Sequence, residues 1–133
     1  MPVPYRWLRV HGLRELPPWE FIDDQARAIA LRDEFLLEVQ APNPSKLRDW
    51  FPFASHRAQD DFAGFELVAG VPTGAVWVVH LTWLRRAEQP GWPSTSRYES
   101  FWQWFKDGML VEAIDWAARN AADDLPDLEA EHS

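Results

Sequence analysis

From Gln25 to Val39 apolar residues recur every three or four positions, with Ala28, Leu31, Phe35 and Val39 on one stripe. Arg27, Arg32, Asp33, Glu34 and Glu38 fall mostly toward water, which predicts an amphipathic helix. Asp23 or Asp24 supplies its N-cap, and the stiff, extended Leu16-Pro17-Pro18-Trp19 leads into it. Tyr5 to Val10 alternates imperfectly before Gly12, so period alone leaves strand and helix equally open there. Pro42 and Pro44 stop the long helix. Asn43-Pro44 can restart a short one, with Leu47, Trp50 and Phe51 on its buried edge and Pro52 at its end. After Phe53-Ala54-Ser55, the stretch His56 to Asp61 holds no apolar side chain larger than alanine and reads as a loop.

Two strands follow, Phe62 to Val68 and Ala75 to Trp83, joined as a hairpin by the turn residues Gly70-Val71-Pro72-Thr73-Gly74. Along the second, Trp77, Val79, Leu81 and Trp83 point one way and Val76, Val78, His80 and Thr82 the other. Apolar residues on both faces predict a central strand covered on each side. Arg85 to Thr95 is a polar, proline-containing loop carrying Pro90-Gly91-Trp92-Pro93. Ser96 and Glu99 have capping-box spacing and open the main C-terminal helix. Its rings at Phe101, Trp102, Trp104, Phe105 and Trp116 cannot share one stripe, because adjacent positions differ by about 100°. Either that helix is buried on several sides or it shows aromatic surface. Gly108 is a place for it to kink. From Asp123 onward, acidic residues with Pro126 predict a frayed tail, so the chain divides into one domain over 1–122 and an acidic tail over 123–133.

Composition narrows the function. A chain of 133 residues with 47% hydrophobic and 26% charged positions builds one globular core. Its 21 acidic against 13 basic residues leave a net charge of −8, which repels phosphate backbones and argues against direct nucleic-acid binding. No apolar run nears the roughly 20 residues needed to span a bilayer, and Met1 to Trp7 lacks the apolar core of a secretory signal. The expectation is a cytoplasmic protein with no membrane partner. The absence of cysteine removes disulfides, thiol nucleophiles and Cys-based zinc or iron–sulfur sites. Nine Trp and eight Phe supply much of the buried area and place some rings near the surface.

Candidate chemistry is sparse. The four His are scattered with no helical His-x-x-x-His pair, so no metal site is expected, and no phosphate loop, dinucleotide fingerprint or nucleophile elbow is present. No cofactor is expected. His80, with Asp61 upstream in the loop, could support acid–base chemistry in a small hydrolase; among valines it reads more simply as a hydrogen-bonded core residue. Asp60 and Asp61 either hold their loop through backbone N–H groups or form a negative patch for a basic partner. Trp92, between Gly91 and Pro93, is a lid or an interface anchor. With Trp83, these residues form the candidate partner-binding set: Asp60, Asp61, Trp83 and Trp92.

The order of motifs carries a further expectation. Leu16-Pro17-Pro18-Trp19, Trp50-Phe51-Pro52-Phe53-Ala54, Gln59-Asp60-Asp61-Phe62-Ala63-Gly64-Phe65, Val76-Trp77-Val78-Val79-His80, Pro90-Gly91-Trp92 and Tyr98-Glu99-Ser100-Phe101-Trp102-Gln103-Trp104-Phe105 follow one another. From Leu16 to Trp116 this order resembles the SUKH superfamily, the group containing the yeast cell-wall-assembly regulator and many bacterial immunity proteins. The resemblance implies an α+β domain with helices around a central, largely antiparallel sheet, and protein binding rather than catalysis. It implies an immunity protein that neutralises a cognate protein toxin, a basic one such as a nuclease, as a monomer or weak dimer. A regulatory scaffold without a toxin partner is the alternative.

Overall fold

A computed structural model describes residues 2–39, 46–81 and 94–124. They form a single α+β unit around a six-stranded sheet in which every neighbouring pair is antiparallel and the strand order follows the chain. Helix α1 (Val3–Val10) precedes β1 (Glu15–Leu16) and β2 (Trp19–Phe21); α2 (Gln25–Val39) then crosses to β3 (Trp50–His56). β4 (Asp61–Val68), β5 (Val71–His80) and β6 (Ser94–Tyr98) complete the sheet. The C-terminal helix is α-helical over α3 (Phe101–Trp104), widens to a π-helix over Phe105–Leu110, and returns to α over α4 (Val111–Asp124). No helix among the described residues is long and apolar enough to cross a membrane.

Helices cover both faces, giving two cores. On one face Tyr5 and Leu8 of α1 and Phe101, Trp104 and Met109 from the C-terminal helix pack on Trp19, Phe21, Phe53, Phe65 and Val76. Phe53 is the hub: its ring stacks on Phe65 at 4.3 Å and meets Trp104 edge-on at 5.1 Å. On the other face Leu31 and Phe35 of α2 pack with Leu47, Trp50, Phe62, Trp77, Val79 and Leu81. The alternation predicted along the second hairpin strand is therefore realised, with Val76 in one core and Trp77, Val79 and Leu81 in the other.

The open question at Tyr5–Val10 resolves as helix, because Tyr5 and Leu8 then reach the aromatic core together while Val3, Trp7 and Val10 face out. Asp24 caps α2, its Oδ1 accepting from the N–H groups of Ala26 at 2.9 Å and Arg27 at 3.3 Å. Three expectations are corrected. Trp50 and Phe51 are not the edge of a short helix but the start of β3, and Pro52 continues that strand. Proline is tolerated because a bulge between Pro52 and Ala54 relaxes the ladder, and the extra residue lets both Phe53 and Ala54 reach the same core. His56 and Asp61 likewise belong to β3 and β4, so the loop between them shrinks to Arg57–Asp60. The hairpin turns at Ala69 and Gly70, whose φ values of 53° and 77° suit a tight two-residue turn, while Val71 to Gly74 belong to β5.

The C-terminal helix also starts later than its sequence box implies. Ser96 lies inside β6, paired with Val78, so the capping residue is Ser100, whose hydroxyl accepts from the Gln103 N–H at 3.1 Å. The Gln103 side chain returns to the Glu99 N–H, satisfying a second exposed donor at the helix start. The helix kinks at Asn120, whose φ of −125° and ψ of 15° are not helical, and resumes to Asp124; residues 125–133 lie outside the described residues.

Candidate functional site

Asp60 and Asp61 sit where β3 turns into β4, and they do different things. The Asp60 backbone carbonyl accepts from the Leu81 N–H at 2.8 Å, tying the turn to the end of β5. Asp61 is the cross-strand partner of His80, so both side chains leave the sheet on one face, and His80 Nδ1 donates to Asp61 Oδ1 at 2.6 Å. His80 is 43% exposed and Asp61 only 20%. The expected core histidine is thus a surface residue, hydrogen-bonded as expected but half in water, because the strand ends where its core ends. A carboxylate that holds Nδ1 orients the imidazole and sets which nitrogen carries the proton. Trp83 and Trp92, the other two candidates, lie outside the described residues.

A buried histidine does exist, and sequence reasoning passed over it. His56 ends β3 opposite Trp19, meets that ring edge-on at 5.3 Å, and is 5% exposed. The Ala58 N–H donates to its Nδ1 at 3.1 Å, which leaves the proton on Nε2, directed at Glu112 Oε2 3.0 Å away. This contact pins the start of α4 to the sheet. Period along the chain carried no signal for it, because the bulge between Pro52 and Ala54 breaks the alternation and puts Trp50 in one core and Ala54 in the other. His56, Glu112, Asp61 and His80 all belong to this end of the sheet, yet no group of three or more His, Asp or Glu among the described residues has the geometry to hold a metal ion.

On the opposite face a partly exposed polar network borders the second core. Glu66 accepts from Trp77 Nε1 at 2.6 Å, Thr73 Oγ1 at 2.9 Å and Arg97 Nε at 3.3 Å, while Arg97 also reaches Glu99 at 2.9 Å. Burial works to raise the Glu66 carboxyl, but these three donors outweigh it and hold the group below the ordinary glutamate range. Arg32 grips Asp49 with two parallel bonds at 3.0 and 2.8 Å, and the Trp50 N–H adds a third at 2.8 Å. There too burial pushes upward and the donors prevail, leaving Asp49 below the usual carboxylate range. All these acids are committed to internal partners.

Acidic and apolar surface meets the solvent instead on the C-terminal helix. Phe101 and Trp104 are buried, whereas Trp102 is 45% exposed and braced edge-on against Phe105 at 5.8 Å. The π-helix then adds one residue to the turn, rotating everything beyond it by about 100°. Gly108 permits this, since its bare Cα lies under Trp104, where a Cβ would stand 3.1 Å from Cδ1. Within the wide turn Met109 faces the body, and beyond it Glu112 reaches His56, while Val111 and Ile114 are 56% and 70% exposed. Exposed Asp107 and Asp115 lie on the same helix, the latter paired with Arg119 at 2.8 Å. Of the two possibilities for the aromatic helix, it is buried along one side and shows Trp102 on the other.

The architecture and surface define a single α+β domain with apolar residues exposed on its C-terminal helix. Compared with protein-family models, with curated proteins and with solved structures, the chain matches none.

Proposed function

We propose that this chain is a cofactor-free, cytoplasmic protein-binding domain, an immunity protein of the SUKH type that neutralises a basic cognate toxin, such as a nuclease, by occlusion. The observation that carries the reading is the exposure of Trp102, Val111 and Ile114 on the C-terminal helix, which also carries exposed Asp107 and Asp115, on a chain of net charge −8. Negative charge speeds encounter with a basic surface, and apolar anchors slow dissociation once water is expelled. Blocking the toxin's substrate surface requires no chemistry from the immunity protein, and it acts as a monomer or weak dimer.

The test is co-expression with a basic toxin domain encoded beside the gene for this chain, followed by stopped-flow association and dissociation. Trp102→Ala should raise the dissociation rate about tenfold with little change in association. Reversing Asp107 to Lys should slow association at low salt and less at high salt, since screening already weakens the attraction there. Rates for both variants equal to the parent's would sink the proposed surface, and failure to protect cells from any such toxin would leave the regulatory-scaffold reading. A hydrolase reading has one supporting observation, the half-exposed His80 held by Asp61 at 2.6 Å. It requires that the chain hydrolyse a simple activated ester and that His80→Ala abolish the turnover.

A further inference from the structure

Residues 2 to 14 carry Arg6, Arg9, His11 and Arg14 and no carboxylate, a local reversal in a chain of net charge −8. The stretch forms α1, whose inner side buries Tyr5 and Leu8 and whose outer side leaves Val3, Trp7 and Val10 each more than half exposed. Single exposed apolar residues are ordinary; three in helical register, one of them tryptophan, form a surface. With Arg6 and His11 they line a shallow depression of about 350 Å³. Pro2, next to Val3 in the chain, lines a second hollow with Pro72, Thr73 and Gly74.

Trp7 is ordered in advance. The His11 ring stacks on it with centroids 4.2 Å apart, and His11 Nδ1 donates to the Trp7 carbonyl at 2.8 Å. A partner therefore meets an aromatic ring that loses little freedom on binding. Arg9 is turned inward to Asp23 and Tyr5, so the outward charge belongs to Arg6, with His11 beside it. We propose that this face docks an acidic amphipathic helix of another protein, its apolar side chains filling the depression and its carboxylates meeting Arg6. An anionic lipid surface fits less well, because Val3, Trp7 and Val10 line a depression that receives side chains, where a lipid-inserting face projects them. The face is opposite in charge to the exposed surface of the C-terminal helix, so the two surfaces select different partners.

The probe is a fluorescently labelled synthetic helix with Leu and Phe on one side and Glu elsewhere, titrated with the full chain beside its Lys counterpart. The Glu helix should bind saturably, more weakly at high salt, and the Lys helix should not. Trp7→Ala and Arg6→Glu should each weaken binding about tenfold, while Ile114→Ala leaves it unchanged. Val10→Glu, at a position 82% exposed, should also weaken it and keeps the test open should Trp7→Ala misfold. Equal binding of both helices, no saturable binding, or binding untouched by Val10→Glu would overturn the proposal. So would Trp7-dependent co-sedimentation with vesicles of equal parts phosphatidylglycerol and phosphatidylcholine, or a dimer in sedimentation velocity that Val10→Glu dissociates.

Discussion

Gly64→Ala tests how the second core is built. The backbone of β4 at Gly64 lies directly under the indole of Trp50: a Cβ there would fall 2.1 Å from Nε1 and 2.5 Å from Cδ1 and Cε2. Heavy atoms of this kind settle at about 3.5 Å, so the methyl group and the ring cannot coexist. Nor can the ring withdraw at little cost. Trp50 is fully buried, packed against Phe35 with centroids 5.2 Å apart, and its Nε1 donates to the Trp77 carbonyl at 3.3 Å. Forcing an extra methyl into a packed core costs about 1–3 kcal/mol, and stripping a buried N–H of its acceptor costs about 1–3 kcal/mol more. The expected loss is therefore about 2–6 kcal/mol, a large share of the stability of an ordinary domain. Gly64 is not in the left-handed region, so the effect is steric and not conformational. Urea unfolding followed by far-ultraviolet circular dichroism measures it, and the Trp50→Leu and double variants complete the cycle. The second substitution should recover part of the loss, because the methyl group then enters vacated space. A loss below about 0.5 kcal/mol, or two effects that simply add, would refute the reasoning.

Trp104→Ala removes a fully buried ring and should cost about 3–5 kcal/mol, whereas Phe105→Ala, at a half-buried position, should cost clearly less; equal losses in urea unfolding would contradict the burial pattern. Ser100→Ala should cost about 1 kcal/mol through its lost cap, while Ser96→Ala should stay within about 0.5 kcal/mol; thermal unfolding of the pair shows which serine begins the helix. Glu66 binds its proton less readily folded than unfolded, so its contribution is present above the ordinary glutamate range and is lost as pH falls through the lowered folded value. Urea midpoints taken from neutral to acid pH should accordingly fall less steeply for Glu66→Gln than for the parent, and parallel curves would count against the network.

Much of the candidate surface was legible only as chemistry, not as place. That Asp61 and His80 could meet was readable from residue type; that they do meet, and that the pair faces water, depends on a strand register setting residue 61 against residue 80. His56 was hidden for a related reason. Its burial comes from Trp19 and from Glu112, which lie far from it in the chain. The outward position of Val111 and Ile114 depends on the wide turn at Phe105–Leu110, and an apolar period read at a constant 3.6 residues per turn carries no sign of it.

By itself the sequence determined the amphipathic helix capped near Asp24, the hairpin with a strand covered on both faces and the aromatic C-terminal helix. Each rests on spacing along the chain or on a side chain bonding its own neighbours, forces that act within a few residues. Only the tertiary structure decided that Trp50 to His56 is a strand running through a proline, because the bulge that accommodates Pro52 exists only against β4. It also decided that Ser96 pairs with Val78 instead of starting a helix, since β5 offers that segment a ladder of backbone hydrogen bonds that no local cap can match.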